Sequence, residues 1–426
     1  MDHQERTAVP DSATRRFLTG AGAVTAGSML ANIAAYLLHL PASRWLGPEG
    51  YGAFAALLSA QLLVAVPSLA LQAVVARELV RGVSSEALQS LGRRVALLVA
   101  IVAALAVVPV SLLLDTPVLA TAAALVPGPV LCLLATEQGL LQGAERFRAL
   151  GAVLALAGAG KVVPAVGVLA AGGGVGTALA AGAVGVAAAW LLAGRIVAAG
   201  SSVADSAGSS DSSAYLGREA GPSAPGPSAP GVSSPGVAAV LAAGQVQLVM
   251  MALTSVDLLL ARALLSPEDA GRYALGAVAA KAAFWLPQAV GTVLYPRMAD
   301  PAGHRGAVRS AVGVLLGIGA VVVLGAAVAA PLVPVLVGAD YQPVAGLLWA
   351  FAALGVVLSV LQAFLLATIA TNRTVEAGIA WCGLVLTAVV VWFAPRDVTG
   401  VLGATLVVVV VTTVVAGWRA LRVRPA

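Results

Sequence analysis

The chain of 426 residues is 60% hydrophobic and only 10% charged, and its mean hydropathy is +0.97. Because an ordinary globular domain carries roughly 25% charged residues, this composition excludes a soluble domain and indicates a multispanning membrane protein. The net charge of +5 comes from 24 basic and 19 acidic residues that lie mostly between apolar runs, so it reports membrane topology and not a nucleic-acid partner.

Twelve apolar runs follow one another along the chain, each long enough to cross a bilayer as a helix. The first six are 17–43, 51–76, 95–114, 118–142, 149–171 and 175–199, and the second six are 237–261, 273–296, 311–336, 344–370, 377–394 and 398–418. We predict an all-α polytopic membrane protein with about 12 transmembrane helices. They form two six-helix bundles, at 17–199 and 237–418, related by pseudo-twofold symmetry along the membrane normal.

Three polar stretches complete the predicted organisation, namely an N-terminal tail at 1–16, a central stretch at 200–236 and a C-terminal tail at 419–426. The central stretch is rich in Ser, Gly, Ala and Pro and contains GPSAP twice in succession from Gly221. A segment of this composition cannot bury enough apolar surface to fold alone. We therefore predict that 200–236 is a disordered cytoplasmic linker between the bundles.

One short pattern occurs once in each half of the chain. Gly47 to Ala55 reads GPEGYGAFA, and Ser266 to Ala274 reads SPEDAGRYA, which share Pro-Glu-x-x-Gly-x-aromatic-Ala at an offset of 219 residues. A second echo follows at an offset of 220, with Pro67 and Arg77 matching Pro287 and Arg297. Each copy lies in a polar turn between two long apolar runs, so the pattern predicts a duplicated membrane hairpin.

The distribution of arginines predicts the orientation of the chain. With the N-terminus in the cytoplasm, eighteen arginines fall inside and four fall outside, the latter being Arg44, Arg262, Arg272 and Arg396. This positive-inside bias places both termini and the linker in the cytoplasm. Arg15 and Arg16 also resemble a twin-arginine export signal. The repeat argues against that interpretation, because cleavage would leave unequal halves.

The only two lysines of the chain, Lys161 and Lys281, lie inside predicted spans. At 1.5 Å per residue, Lys161 is about 18 Å from the start of its span, and Lys281 is about 13 Å from Arg272. A charge at this depth costs roughly 2.5 to 3.5 kcal/mol and usually faces a wet cavity or a partner. Both lysines are candidate substrate-binding residues; the alternative is a structural ion pair or a side chain that snorkels to the interface.

Four further charged residues are candidates. Asp257 and Glu137 lie within spans and are candidates for ion coupling or for an ion pair. Arg77 and Arg297 occupy equivalent cytoplasmic ends of the second and eighth spans, so they are candidates for a cationic substrate-binding rim. Arginines that only set the topology occupy the same places, and both interpretations stay open.

Signatures of an enzyme are weak in this sequence. Gly160 and Lys161 look like the end of a phosphate loop, but Ala155 replaces the first glycine and Val162 the Ser/Thr. The sequence has no cluster of His, Cys or carboxylate residues for a membrane hydrolase, and it predicts neither a cofactor nor a metal. We therefore expect a transport protein and not an enzyme.

The stretch LGPEGYGAF from Leu46, with Asp257, SPEDAGRYA and Tyr295 to Arg297, resembles the oligosaccharide flippase branch of the multidrug/oligosaccharidyl-lipid/polysaccharide exporter superfamily. The resemblance covers about residues 17–418. It implies twelve spans and the movement of polyprenyl-pyrophosphate-linked glycans across the cytoplasmic membrane by alternating access. It also implies a cleft whose cations meet the pyrophosphate while the lipid tail stays in the bilayer.

The expected function is therefore a flippase for a lipid-linked oligosaccharide or another polysaccharide precursor, located in the cell membrane. Polysaccharide polymerase and glycosyltransferase partners are implied by the same resemblance. A cation-coupled multidrug or metabolite exporter of the same superfamily is the alternative. The first predicted span, 17–43, contains no acidic residue, which disfavours that alternative.

Overall fold

The computed structural model describes residues 12–212, 236–285, 304–370 and 377–422, and all regular structure within these ranges is helical. The α-helices are α1 (Ser12–Leu37), α2 (His39–Val80), α3 (Ser85–Leu114), α4 (Val118–Leu125), α5 (Pro127–Gly143), α6 (Phe147–Ala170), α7 (Val175–Ser212), α8 (Val237–Leu253), α9 (Val256–Leu264), α10 (Pro267–Trp285), α11 (His304–Ala329), α12 (Val333–Val337), α13 (Gln342–Ala345), α14 (Leu348–Ala370), α15 (Ala377–Trp392) and α16 (Val398–Arg422). Short 3₁₀ helices at Ala330–Leu332 and Ala339–Tyr341 flank α12.

Eight stretches in the described ranges are long and apolar enough to cross a membrane, or nine if the bent pair α8 and α9 is one span. The stretch Val24–Val80, with 57 residues, covers the first two predicted spans. The eighth predicted span, 273–296, runs into residues outside the described ranges, and the eleventh corresponds to a shorter apolar helix, Gly378–Trp392. The chain is thus a multi-pass membrane protein, and the count of twelve spans stays a prediction.

The first copy of the repeat is a hairpin, as the pattern predicts. Gly47 has φ 65° and ψ 176°, a left-handed conformation that favours glycine and interrupts the helical backbone. His39 and Tyr51 would be about 18 Å apart on a straight helix. His39 Nδ1 instead lies 3.0 Å from the Tyr51 hydroxyl, so the chain turns back at Gly47.

The second copy is a hairpin of the same kind. Leu265 is extended between α9 and α10, and Pro267 begins the following helix, a position where its missing N–H costs nothing. Asp257 and Tyr273 would be about 24 Å apart on a straight helix. The Tyr273 hydroxyl donates a hydrogen bond of 2.9 Å to Asp257 Oδ2, which ties the two arms together.

Three predicted segments differ from the observed helices. The run 118–142 is broken between α4 and α5, where Pro127 begins a new helix. The seventh span bends by 43° between α8 and α9. Helix α7 continues to Ser212, into the stretch predicted as a linker, since no proline interrupts the chain before Pro222. Residues 213–235 lie outside the described ranges.

Helix α2 lies at the centre of the structure. It packs against α3 and α5 from its own half and against α8, α9 and α10 from the other half. The largest buried apolar cluster contains Tyr51, Phe54, Tyr273 and Phe351, so it joins both copies of the repeat. Large apolar side chains such as Leu112 and Leu119, which are 78% and 84% exposed, point away from this core, as on a surface that faces lipid.

Candidate functional site between the two halves

The two copies of the repeat meet at one end of the molecule, which we call the motif end. A Cβ atom built on Gly52 would lie 2.8 Å from the backbone nitrogen of Gly271, and one built on Gly271 would collide with the carbonyl oxygen of Pro48. Only glycine permits this approach of α2 and α10. The repeated glycines therefore close the gap between the halves at the motif end, which the arginine distribution predicts to face outward.

Two further contacts fasten the motif end. Arg262 is buried, and its guanidinium donates hydrogen bonds to the carbonyl oxygens of Leu114 (2.9 Å) and Asp115 (3.0 Å) at the end of α3. The Tyr341 hydroxyl donates to the carbonyl oxygen of Ser43 at 3.1 Å, and burial raises the pKa of Tyr341. Arg262 was predicted only as one of the four outer arginines, and the structure gives it a bonding role between the halves.

Lys281 extends from α10 across the boundary between the halves. Its Nζ donates a hydrogen bond of 2.7 Å to Ser59 Oγ on α2, and Ser59 is 2% exposed. Within the described ranges no carboxylate lies within 4.0 Å of this ammonium group. The lysine therefore has no direct ion-pair partner at the junction of α2 and α10 in the described structure.

Lys161 has a different setting from Lys281. Its Nζ donates a hydrogen bond of 2.7 Å to Gln61 Oε1, and the pair lines a small cavity of about 10 Å³ with Leu38 and Phe54. The elements that line this cavity, namely α2, α6, α7 and Leu38 between α1 and α2, all belong to the first half. Lys161 therefore lies inside the first half and not between the halves.

The two lysines approach α2 from different sides. Ser59 and Gln61 are two residues apart, so their side chains leave the helix about 200° apart. Both ammonium groups interact electrostatically with the ring of His39. The geometry thus places two cations near one another, with α2 between them, and does not form one shared two-lysine pocket.

Asp257 lies in the first turn of α9, immediately after the bend in the seventh span. It is 3% exposed, and its Oδ2 accepts the hydrogen bond from Tyr273. Free backbone N–H groups of a first turn attract a carboxylate, but no hydrogen bond of good geometry reaches Oδ1. Asp257 and Lys281 line the same small cavity and interact electrostatically.

Two of the other predicted site residues, Arg77 and Glu137, are not brought to this junction. Arg77 is 56% exposed at the side chain and pairs with Glu78 at 2.9 Å, and Glu78 also accepts from Arg81. Glu137 lies on α5 with a buried Oε2 that has no hydrogen-bond partner in the described structure. Arg297 lies outside the described residues, so the proposed rim of Arg77 and Arg297 stays a prediction.

Sequence reasoning missed Ser59, Tyr273 and His39 as members of the site. Ser59 carries no signal, because a serine in an apolar run usually bonds to its own helix, and Ser59 Oγ also donates to the carbonyl oxygen of Ala55. Tyr273 was visible as the aromatic position of the repeat. Its counterpart, Phe54, has no hydroxyl, and this difference between the copies was the available signal.

No protein-family model matches the chain, and no curated protein sequence matches it. Among solved structures, the lipid II flippase MurJ in an inward closed conformation gives a TM-score of 0.64 at 11% identity, over 94% of this chain and 87% of that chain. The inward-facing conformation of a multidrug resistance MATE family transporter of the MOP superfamily gives 0.62 at 14% identity, over 92% and 93%. The outward-facing conformation of such a transporter gives 0.57 at 14% identity, over 95% of both chains.

The chain therefore has the fold of transporters of the MOP superfamily. This finding supports the predicted all-helical, multi-pass membrane fold. It does not distinguish the oligosaccharide flippase branch from the multidrug branch.

Proposed function

We propose that the chain is a flippase that moves a lipid-linked oligosaccharide or polysaccharide precursor, carried on a polyprenyl pyrophosphate, across the cytoplasmic membrane by alternating access. The substrate has an anionic group, a polar glycan and a long apolar chain. The site must therefore offer a cation between the halves and an apolar surface that opens toward lipid.

The observation that carries this proposal is the ammonium group of Lys281. It lies at the junction of the halves, and its hydrogen-bond partner is the uncharged Ser59. A positive charge in a low-dielectric setting attracts a phosphate and repels a cationic drug. Lys161 adds a second positive charge from the other side of α2.

An apolar groove supports the lipid part of the substrate. It has a volume of about 420 Å³ and lies between α2, α3 and α8, lined by Leu63, Val102, Leu241 and Leu248, among other apolar residues. The α2 residues of the groove follow Gln61 directly along the helix. An apolar chain gains free energy by burial against such a lining, so the groove and the cations together fit an amphiphilic anion.

A cation-coupled exporter is the second candidate function. Asp257 favours it, because a buried carboxylate beside a broken membrane helix is the usual setting of a coupling ion. The two functions predict different phenotypes for a deletion strain. Loss of the flippase removes surface glycan, whereas loss of the exporter raises sensitivity to cationic drugs.

The proposal is tested by removing or keeping the positive charge of Lys281 through substitution. Lys281→Gln removes the charge and keeps a polar side chain, so we expect it to lose nearly all glycan export while the protein still inserts. Lys281→Arg should retain partial activity, because the charge survives in a planar group. Each variant is expressed in the deletion strain and scored for surface glycan and membrane protein level.

Lys161→Gln is the matched comparison, since Lys161 lies inside the first half and should affect export less. Binding of a polyprenyl pyrophosphate to the purified protein, measured by native mass spectrometry, checks the same point without the cell. Full export by both glutamine variants, alone and combined, would show that the substrate anion is met elsewhere, and Arg77 and Arg297 would then be tested.

A further inference from the structure

The carboxylate of Asp257 is only half used in this conformation. Its Oδ2 accepts from Tyr273, while the buried Oδ1 has no well-formed hydrogen bond among the described residues and meets only the nearby backbone N–H groups of Asp257 and Leu258. A buried polar atom without a partner costs free energy, so its persistence needs an explanation. The residues that line the same cavity as Asp257 provide this explanation.

The cavity next to Asp257 has a volume of about 10 Å³, the space of about one water molecule. Lys281 lines this cavity together with Thr254 and Leu354. The lysine has a flexible four-carbon stem with a compact charged end, so it can change its partner by rotation of its own side chain. In this conformation it bonds instead to Ser59, which belongs to the other half.

The equivalent cavity of the first half has no carboxylate. Positions 219 residues before Asp257, Ala277 and Ala280 are Leu38, Leu58 and Gln61, and all three line the cavity of Lys161. The first copy thus has the apolar Leu38 where the second has Asp257. The acid is therefore not required by the fold of the hairpin, which the first copy forms without it.

We propose that Asp257 is the alternative partner of Lys281, and that the exchange of partners releases the substrate. This inference rests on the proposed function. While the motif end is closed, Ser59 holds the ammonium group without neutralising it, and the charge is available to a substrate phosphate. When the halves separate at the motif end, Ser59 moves away with α2 and the ammonium group turns to Asp257 Oδ1.

The exchange has a clear physical basis. An ammonium group in a low-dielectric interior is stable only when it is solvated or paired, so the loss of one partner favours the next one within reach. The carboxylate then competes with the substrate phosphate for the same ammonium group. Binding is strong in one conformation and weak in the other, as directional release requires.

The test uses Asp257→Asn, which keeps the shape and an acceptor for Tyr273 but removes the negative charge. The probe is a polyprenyl pyrophosphate with a fluorescent nitrobenzoxadiazole label, reconstituted with the full chain in liposomes. We expect the variant to bind the probe at least as tightly as the parent. Flipping, followed by dithionite quenching, should be about tenfold slower, the change expected from losing one charge-assisted hydrogen bond.

Two controls separate this role from a structural one. In the Lys281→Gln background, which should itself flip almost nothing, Asp257→Asn should leave the separation of the halves at the motif end unchanged, because an acid that acts through the lysine has nothing left to bind. Tyr273→Phe removes the other hydrogen bond of the carboxylate and should slow flipping less than Asp257→Asn. Additive effects of Asp257→Asn and Lys281→Gln on the separation of the halves would overturn the inference. A parental flipping rate of the Asp257→Asn variant would overturn it as well.

A readout without substrate distinguishes this inference from the proposed function. Spin labels at the exposed positions Glu49 and Glu268 report the separation of the halves at the motif end. Without the carboxylate of Asp257, the open conformation loses its ion pair with Lys281. Asp257→Asn should therefore increase the population of molecules in which the two spin labels are close together. If the parent does not bind the probe, the proposed function fails, and the spin-label result alone decides the exchange of partners. An unchanged distance distribution would then refute it.

Discussion

Arg262 is the buried cation that fastens α9 to the end of α3. Its guanidinium bonds to the carbonyl oxygens of Leu114 and Asp115, which have no partner within their own helix at this end. A cation at a helix C-terminus also interacts favourably with the helix dipole. One side chain thus links the second half to the first through hydrogen bonds to backbone carbonyl groups.

We predict that Arg262→Gln lowers the free energy of unfolding by about 1.5 to 3 kcal/mol, because hydrogen bonds from a charged donor are lost and the buried carbonyl group of Leu114 loses its partner. The measurement is a denaturant titration of the purified protein in mixed micelles. Arg396→Gln is the control, since Arg396 is exposed and belongs to the same group of predicted outer arginines. Equal effects of the two substitutions would show that Arg262 only sets the topology.

The candidate site could be predicted in part at the level of single residues. A lysine inside an apolar run indicates a special role, because placing its charge within the membrane costs free energy. Both lysines have the polar partners expected of such residues. Their partners could not be predicted, because Ser59 and Gln61 are placed opposite the lysines by helix packing. The burial of Arg262 could not be predicted for the same reason, as the counting of loop charges contains no information on burial.

The hairpin elements owe their close approach to the repeated glycine. Gly52 and Gly271 occupy the same position of the pattern. A Cβ atom added to either glycine would collide with the backbone of the other copy. The groups that a Cβ on Gly271 would meet are backbone atoms of Pro48, which cannot turn aside as a side chain can. The contact therefore exists only while both positions lack a side chain.

We predict that Gly271→Ala shifts the protein toward conformations with an open motif end, because overpacking of this kind costs about 1 to 3 kcal/mol. Ser43→Cys is the reporter, since Ser43 is fully buried near this end. Its reaction with an impermeant maleimide should be about tenfold faster in the alanine variant. Cys132 and Cys382 are replaced by alanine in all samples.

The control for this prediction is Gly403→Ala on α16, where a Cβ atom meets nothing within 4 Å. Labelling of Ser43→Cys should then stay at the parental rate. If Gly271→Ala and Gly403→Ala gave the same rate, the glycine contact would not be the closure of the motif end.

Sequence patterns predicted the existence of elements better than their interruptions. The turn at Gly47 was visible because it lies in a repeated polar pattern, and the structure has it there. The bend between α8 and α9 was not visible, since Thr254 and Ser255 are neutral and continue an uncharged run. Breaks of this kind depend on which neighbours satisfy the backbone, and a hydropathy pattern does not contain that information.

The whole molecule combines a fold that composition and repeat predict with an orientation that only charge predicts. The similarity to solved structures of MOP superfamily transporters supports the predicted fold. The contact of Gly52 with Gly271 joins the two copies of the duplicated pattern. The number of twelve spans rests on the apolar runs of the sequence, and the side of each loop rests on the arginine distribution alone. A topology experiment therefore tests the part of the prediction that only charge supports, namely the side of the membrane on which each loop lies.

We predict that cysteines at Gly174 and Asp340 react with an impermeant thiol reagent in intact cells, whereas one at Ser85 reacts only after permeabilisation. All three positions are exposed, and Cys132 and Cys382 are replaced by alanine. Three predicted spans separate Ser85 from Gly174, an odd number, which places them on opposite sides of the membrane. Four predicted spans separate Gly174 from Asp340, an even number, which places them on the same side.

The outcome depends on the segment 273–296, which forms one of those four spans and runs beyond Trp285, the last described residue of α10. If that segment did not cross the membrane, the parity would change and Asp340 would lie on the inner side. Labelling of Gly174 without Asp340 would therefore remove one of these four spans, and 273–296 would be the first to test. Labelling of Ser85 in intact cells, with Gly174 protected, would instead keep the count and invert the orientation, and the motif end would then face the cytoplasm.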